Sequence, residues 1–134
     1  MNGVKSMHKY VKQVSLDFEE AERKFKDAIE KVGLKVVGEV MPSKKVKMKL
    51  NIDVPPYKIL FICHPKYVYE LMKMNKDIGA LVPCHAFIYS DGEKACCIGV
   101  ELPTKTLSFA GEEVVEYIKT AEEQLKQAVD MVAS

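Results

Sequence analysis

Apolar residues recur at steps of three and four in three parts of the chain, and this spacing predicts three amphipathic helices. The first carries its apolar face over residues 18–32, with Asp17 as the N-cap and Gly33 just past the end. The second begins at Pro65, a residue suited to the first position of a helix. The third covers about residues 111–132, and its apolar seam would pack on a sheet or on a second subunit.

Five further stretches are rich in β-branched and other apolar residues, and they predict strands. They are Met7 to Val14, Leu34 to Met41, Tyr57 to Cys63, Ala80 to Tyr89 and Ala95 to Leu102. The Asp91-Gly92 dipeptide between the last two predicts a hairpin. Pro83 lies early in the fourth strand, so that end is predicted to be an edge or a bulge. The stretch from Ser43 to Leu50 is consistent with a short helix or with a basic loop.

The predicted elements follow the order β-α-β-β-α-β-β-α. This order favours an α+β fold of two layers, in which a mixed or antiparallel sheet of about five strands carries helices on one face. A length of 134 residues suits one domain that spans residues 1–134. A chain of this size buries roughly two-thirds of its unfolded surface, so we expect it to fold without disulfides or a structural metal.

The composition narrows the partners that the sequence predicts. The formal net charge is +1, and Arg23 is the only arginine among the 20 basic residues, so nucleic acid is not an expected partner. No apolar run approaches the roughly 20 residues that span a bilayer, so no membrane partner is expected either. Residues 1–12 lack the apolar stretch of a secretory signal, which favours a cytoplasmic protein with reduced thiols. The densest basic cluster, interpreted as a solvated surface, is Lys44, Lys45, Lys47 and Lys49.

Two Cys-His dipeptides are the most specific chemical signal in the chain. Cys63-His64 ends the third predicted strand, and Cys84-His85 lies in the fourth. Thiolate and imidazole groups are the commonest protein ligands of zinc and also bind copper and iron. If the two strands are neighbours, these four side chains would line one site for a transition metal or a metal-bearing cofactor such as haem.

The geometry of a strand limits this hypothesis, because adjacent residues point to opposite faces of a sheet. Without a bulge near Pro83, Cys84 would join Ala86 on the buried face, and His85 would face the other way with Phe87. A pair of cysteines, or a pair of histidines, is then favoured over four converging ligands. Two such half-sites would meet in a dimer.

The same residues permit other interpretations. Each cysteine in an apolar strand can be a small core residue, most strongly so for Cys96 and Cys97, and His64 can simply cap the second helix. Cys63 would also lie at the start of that helix, whose dipole lowers a thiol pKa and would suit a redox or sulfur-transfer protein. A third hypothesis is an oligomeric scaffold without a ligand. No spacing of nucleophile, base and acid indicates hydrolytic catalysis, so an enzyme is not favoured.

Three segments of the chain resemble the domain-of-unknown-function 302 family over about residues 7–104, before the last helix. The segments are Asp17 to Ala21 with Val32 to Val36, Val54 to Leu60 leading into Cys63-His64-Pro65, and Gly79 to His85 leading into Tyr89 to Gly92. The resemblance implies a two-layer fold of the TATA-binding-protein-like type that is often dimeric, and it implies no activity. The family commonly has Asn after each cysteine, so His64 and His85 depart from its pattern.

Overall fold

A computed structural model describes residues 8–133 of the chain. Met7, where the first strand is predicted to begin, lies outside the described residues. Five strands form one fully antiparallel sheet in the spatial order β1-β5-β4-β3-β2. The strands are β1 (Lys9–Val14), β2 (Lys35–Val40), β3 (Tyr57–Cys63), β4 (Cys84–Ser90) and β5 (Cys96–Glu101). The predicted α+β class and the number of strands are confirmed.

Five helices and two short 3₁₀ turns connect and cover these strands. The helices are α1 (Phe18–Lys31), α2 (Pro42–Leu50), α3 (Pro65–Met74), α4 (Pro103–Thr106) and α5 (Glu112–Ala133), and the 3₁₀ turns are Lys76–Ala80 and Ser108–Ala110. The basic stretch after β2 is therefore the short helix rather than the loop, because Pro42 occupies the first position of α2 and Asn51 ends it in the left-handed region at φ 56°. The three main predicted helices correspond to α1, α3 and α5.

Local signals fix the ends of α1. The Asp17 side chain accepts a hydrogen bond of 2.9 Å from the backbone N–H of Glu20, so one of the unpaired donors at the helix start is satisfied. Gly33 follows the helix with φ +98°, a conformation that costs a residue with a Cβ atom more than it costs glycine. The predicted cap and the predicted helix end are both confirmed.

The main core lies between one face of the sheet and helices α1 and α5. Phe25 of α1 and Leu125 of α5 pack on Leu60, Ile88 and Ile98, and all five are buried. A second, smaller cluster joins α3 and the 3₁₀ turn to α5 and the residues before it; its members include Leu71, Ile78, Leu107 and Ile118. The apolar seam of α5 thus packs within the chain, on the sheet and on α3, which is the first of the two contacts predicted for it.

The start of β4 differs from the prediction. The chain over Lys76–Ala80 forms a 3₁₀ turn, in which the Asn75 side chain accepts from the Asp77 N–H and Ile78 is buried. The strand therefore begins only at Cys84. Pro83 precedes the strand, where no ladder hydrogen bond is required of it, and β4 is the middle strand of the sheet rather than an edge. The predicted edge or bulge at Pro83 is wrong for this reason.

The other face of the sheet, called the open face below, is not covered by α1 or α5. It carries Phe61 from β3 and Phe87 and Tyr89 from β4, all half-buried. The Phe87 ring lies over Gly99 of the neighbouring β5, because a Cβ atom at residue 99 would stand 2.5 Å from the Phe87 ring. The small residue thus lets an aromatic ring lie flat against the sheet.

The first strand is tied to the last helix. The Tyr10 hydroxyl donates a hydrogen bond of 2.7 Å to Asp130, and Lys12 forms an ion pair of 2.8 Å with the same carboxylate. These contacts join residues about 120 positions apart and hold the edge strand β1 against α5.

Candidate thiol pocket

A small pocket lies where the ends of β3 and β4 meet helices α3 and α5. Cys63, His64 and Cys84 line it, together with apolar side chains such as Leu71 and Ile118. Its volume is about 30 Å³, which is near the share of one water molecule in the liquid. Three of the four predicted site residues therefore belong to one pocket.

The register of the sheet brings the two cysteines to this place. The strands β3 and β4 pair directly, as the sequence hypothesis requires, and Ile62 stands opposite Cys84. Cys63 is the next residue and the last of β3, where the chain leaves the sheet through His64 and enters α3 at Pro65. Two segments that are distant in sequence thus bring Cys63 and Cys84 to the lining of one pocket.

Both thiols have raised pKa values. Burial raises the pKa of Cys84 far above its ordinary value, and the charges of Glu101 and Cys63 raise it further. Burial also raises the pKa of Cys63, against a smaller opposing effect of the His64 backbone N–H. The expected lowering of the Cys63 pKa by a helix dipole is therefore not what the structure indicates. Both groups are protonated thiols near neutral pH.

His64 serves as the N-cap of α3. Its Nδ1 accepts a hydrogen bond of 3.1 Å from the Lys66 backbone N–H, so the proton of the neutral ring is on Nε2. The ring also meets the Tyr67 ring edge-on at 5.6 Å between centroids. While the ring caps the helix in this way, neither of its nitrogens has a lone pair free to bind a metal. His64 therefore has the capping role that was one of its predicted interpretations.

His85 lies on the open face, away from the pocket. Its ring packs edge-on against Phe61, and its Nδ1 lies 2.9 Å from Oε1 of Glu101. The same carboxylate oxygen accepts the His85 backbone N–H at 2.6 Å. The four predicted ligands therefore do not converge, because alternation along β4 separates His85 from Cys84. Within residues 8–133, no group of three or more Cys, His, Asp or Glu side chains is arranged to hold a metal ion.

His85 has two partners that its own sequence context does not indicate, Glu101 directly and Thr106 through Glu101. Thr106 donates a hydrogen bond to the second oxygen of Glu101, so the carboxylate links His85 of β4 to α4. The signal was present in the hairpin: Ala86 pairs with Val100, and that register places His85 beside Glu101. His85 also lines an open groove of about 380 Å³, together with His8 and Lys9.

The other two cysteines stand outside the pocket. Cys96 is fully buried in the main core, as expected of a small apolar residue. Cys97 is half-buried on the open face, and its hydrogen bond with Tyr89 helps to raise the pKa of that phenol to about 12. All four cysteines are free thiols.

The fold and this pocket define a small α+β domain in which two cysteines line one pocket between an antiparallel sheet and its helices. None of the helices in the described range has the length and hydropathy needed to cross a bilayer. The chain belongs to the family described as Domain of unknown function DUF302, whose model matches residues 10–132. The matched region therefore extends past residue 104 and includes the last helix.

A solved structure supports the fold. It is described as an uncharacterized conserved protein DUF302 from Bacillus stearothermophilus. The two structures agree with a TM-score of 0.86 at 21% sequence identity, over 95% of this chain and 99% of that chain. At this identity the likeness concerns the fold alone. No curated protein matches the chain.

Proposed function

We propose that this domain binds a thiophilic metal ion such as Cu(I) through the thiolates of Cys63 and Cys84. The observation that supports the proposal is that Cys63 and Cys84 line one small pocket of about 30 Å³. Soft thiolate ligands favour Cu(I), zinc and iron–sulfur clusters. Structural zinc sites take four ligands, a number that the described residues do not assemble here. A soft monovalent ion that needs only two ligands therefore fits the two cysteines best.

The size of the cavity supports an ion over a cofactor. A space of about 30 Å³ has room for one or two water-sized ligands, whereas haem needs a cavity many times larger. Haem is therefore not part of the proposal.

The raised pKa values predict how binding depends on pH. Each thiol must lose its proton to bind the metal, so binding releases up to two protons. A bound cation also removes the repulsion that the Cys63 charge exerts on Cys84. We expect the apparent affinity to rise with pH, by up to about 100-fold per pH unit while both thiols are protonated in the free protein.

The test is a Cu(I) titration of the reduced protein against a chromophoric Cu(I) chelator, under anaerobic conditions. We expect one ion per chain, and a loss of affinity of more than about 100-fold in Cys63→Ser and in Cys84→Ser, since each removes a ligand. Cys97→Ser is the matched control, because Cys97 is half-buried on the opposite face, and it should bind as the unmodified protein does. Equal affinity in the Cys63→Ser/Cys84→Ser double variant would overturn the proposal.

A thiol-based redox or sulfur-transfer protein is the second candidate, supported by the same shared cavity. It requires a reactive thiolate, and the upward pKa shifts of Cys63 and Cys84 oppose one. Alkylation at pH 7 separates the two candidates. Metal binding predicts slow labelling of both cysteines, whereas labelling of Cys63 much faster than a free cysteine peptide would favour thiol chemistry.

A further inference from the structure

The strongest concentration of exposed apolar residues lies away from the thiol pocket. Of the eleven strongly exposed large apolar side chains in the described part of the chain, seven fall within residues 37–57. The most exposed of these seven is Met48, at 75%. We define residues 44–54, most of helix α2 and the turn after it, as the arm. Every residue from 47 to 57 is exposed.

The arm has an inner and an outer side. The buried Ser43, just ahead of the arm, fixes the helix to the sheet by hydrogen bonds with the backbone N–H and C=O of Tyr57. Helical periodicity then places Lys44, Lys45, Met48 and Lys49 together on the outer side, and all four are exposed. Beyond Asn51 the chain presents Ile52 and Val54, at 50% and 40% exposure.

The charges on this outer side are unpaired. Lys47 pairs with Asp53 at 3.0 Å, within the arm itself. Lys44, Lys45 and Lys49 have no carboxylate within ion-pair distance among residues 8–133, whereas lysines such as Lys26 and Lys58 are paired. Three free positive charges therefore surround one exposed Met48 side chain.

The net charge and the lack of an apolar span predict no membrane partner, but the local charge of the arm differs from the average. We propose that the arm docks this protein on the surface of an anionic lipid bilayer. Each lysine near such a surface adds favourable electrostatic energy, and exposed aliphatic side chains beside the charges enter the headgroup boundary. The phosphates of a nucleic acid would pair with the lysines but would leave Met48 and Ile52 exposed. Single-strand binding also uses aromatic stacking, and the arm has no aromatic residue. A second copy of the chain would cover Met48 but would place the same positive charges against each other.

The experiment is vesicle flotation of the whole protein, with phosphatidylcholine vesicles that contain about 30% phosphatidylserine, compared with pure phosphatidylcholine. We expect binding to the anionic vesicles only, and its loss in about 0.5 M salt. The Lys44→Gln/Lys45→Gln/Lys49→Gln variant should bind about 100-fold more weakly, at about fivefold per lysine. Its folding is preserved because glutamine has a helix propensity similar to that of lysine.

Two matched controls separate the arm from the bulk properties of the protein. Lys24→Gln/Lys31→Gln/Lys105→Gln removes the same charge from exposed sites elsewhere and should keep most of the binding. Met48→Gln should weaken vesicle binding by about tenfold or more, as the burial of one apolar side chain requires. Phe109 is 92% exposed and lies outside the arm, so Phe109→Gln should leave vesicle binding unchanged.

Several outcomes would overturn the proposal. They are no binding to anionic vesicles, equal binding to neutral vesicles, or equal weakening by the two triple-glutamine variants. Binding to duplex or single-stranded oligonucleotides without vesicle binding would assign the lysines to nucleic acid instead. Self-association that Met48→Gln abolishes, again without vesicle binding, would assign the arm to a second copy. Because Cu(I) binding is measured on different residues, failure here leaves the proposed function intact.

Discussion

His64 and His85 each follow a cysteine, yet the backbone gives their rings different partners. His64 stands where a strand passes into a helix, so its ring turns back to accept the Lys66 N–H. His85 lies inside a strand, so alternation directs it to Glu101 on the open face. The dipeptide therefore does not determine the geometry of its histidine. The position of the dipeptide within the secondary structure does.

The capping role of His64 yields a prediction. His64→Ala should destabilise the protein by about 1 kcal/mol, since the cap acceptor is lost, whereas His64→Asn should keep most of the stability because asparagine is a good N-cap. Urea unfolding measures both. Cu(I) affinity should stay within a few-fold in the two variants. A large loss of Cu(I) affinity in both would instead make His64 a ligand.

Several single-residue signals could be predicted because they are local. Asp17, Gly33 and Pro65 act within one turn of their own backbone, and each does what its residue type favours. The place of Cys63 and Cys84 in one pocket was predictable only as an alternative, since it depends on which strands are neighbours. Glu101 was missed because its importance comes from the hairpin register rather than from its own sequence context.

At the scale of elements, a network of four charged residues joins α1 to the edge of the sheet. Lys58 of β3 bonds to Glu22 of α1 at 2.7 Å and to Glu39 of β2 at 3.1 Å, and Lys26 of α1 bonds to both carboxylates. Lys58 is the most buried member, with its side chain 13% exposed. The network closes the side of the core where β2 is the edge strand.

This network predicts a pH-dependent stability. Burial acts to raise the pKa of Glu22, but hydrogen bonds from Lys26 and Lys58 outweigh it and leave the pKa below 4.5. The Lys26 hydrogen bond is the main cause of the lowered pKa of Glu39. A carboxylate with a lowered pKa stabilises the fold fully above its unfolded value, and this contribution is lost as the pH falls through the folded value.

We therefore expect the free energy of unfolding to fall as the pH drops from about 5 to about 3, and to fall less in Glu22→Gln/Glu39→Gln. Each pair contributes at most about 1 kcal/mol, since most of these side chains are partly exposed. Urea midpoints measured across this pH range test the prediction. Glu113→Gln/Glu123→Gln, at exposed sites on α5, is the control. An identical pH profile in the network variant and the control would contradict it.

The apolar pattern of the sequence did not predict where β4 begins. Residues 80–83 are mostly apolar and extend the strand pattern, but the chain over Lys76–Ala80 forms a turn whose Ile78 fills the smaller core cluster. That cluster depends on residues of α5 that are some forty positions away. The predicted ends of β2, β3 and β5 lie within one residue of the observed ends, because their apolar runs stop at turn residues or prolines.

For the whole molecule, the open face is the surface that best fits self-association, now that the α5 seam is occupied within the chain. Strand spacing and rise make it roughly 24 Å by 20 Å, about 500 Å² before side-chain relief is added. A standard interface buries about 800 Å² of accessible surface on each partner. The open face together with the residues beside it therefore has about the area that each partner buries in a small dimer interface.

A homodimer through the open face is our prediction at this scale. Sedimentation equilibrium should detect it, and Tyr57→Glu, at a residue 37% exposed at the end of that face, should shift the protein toward monomer. Like charges brought face to face across a two-fold axis repel each other. Phe109→Glu should leave the association unchanged. If the protein is still monomeric at a concentration of about 100 μM, roughly 100-fold above a micromolar dissociation constant, this dimer is excluded.

The bond between Tyr10 and Asp130 has a practical consequence for the topology of the chain. Since Tyr10 of the first strand and Asp130 of the last helix are held side by side, a short flexible linker would join residues 8 and 133. The resulting ring could then be reopened in the exposed loop at Gly92, between β4 and β5. A circular permutant of this kind would keep every strand pairing while moving both termini to the opposite end of the hairpin.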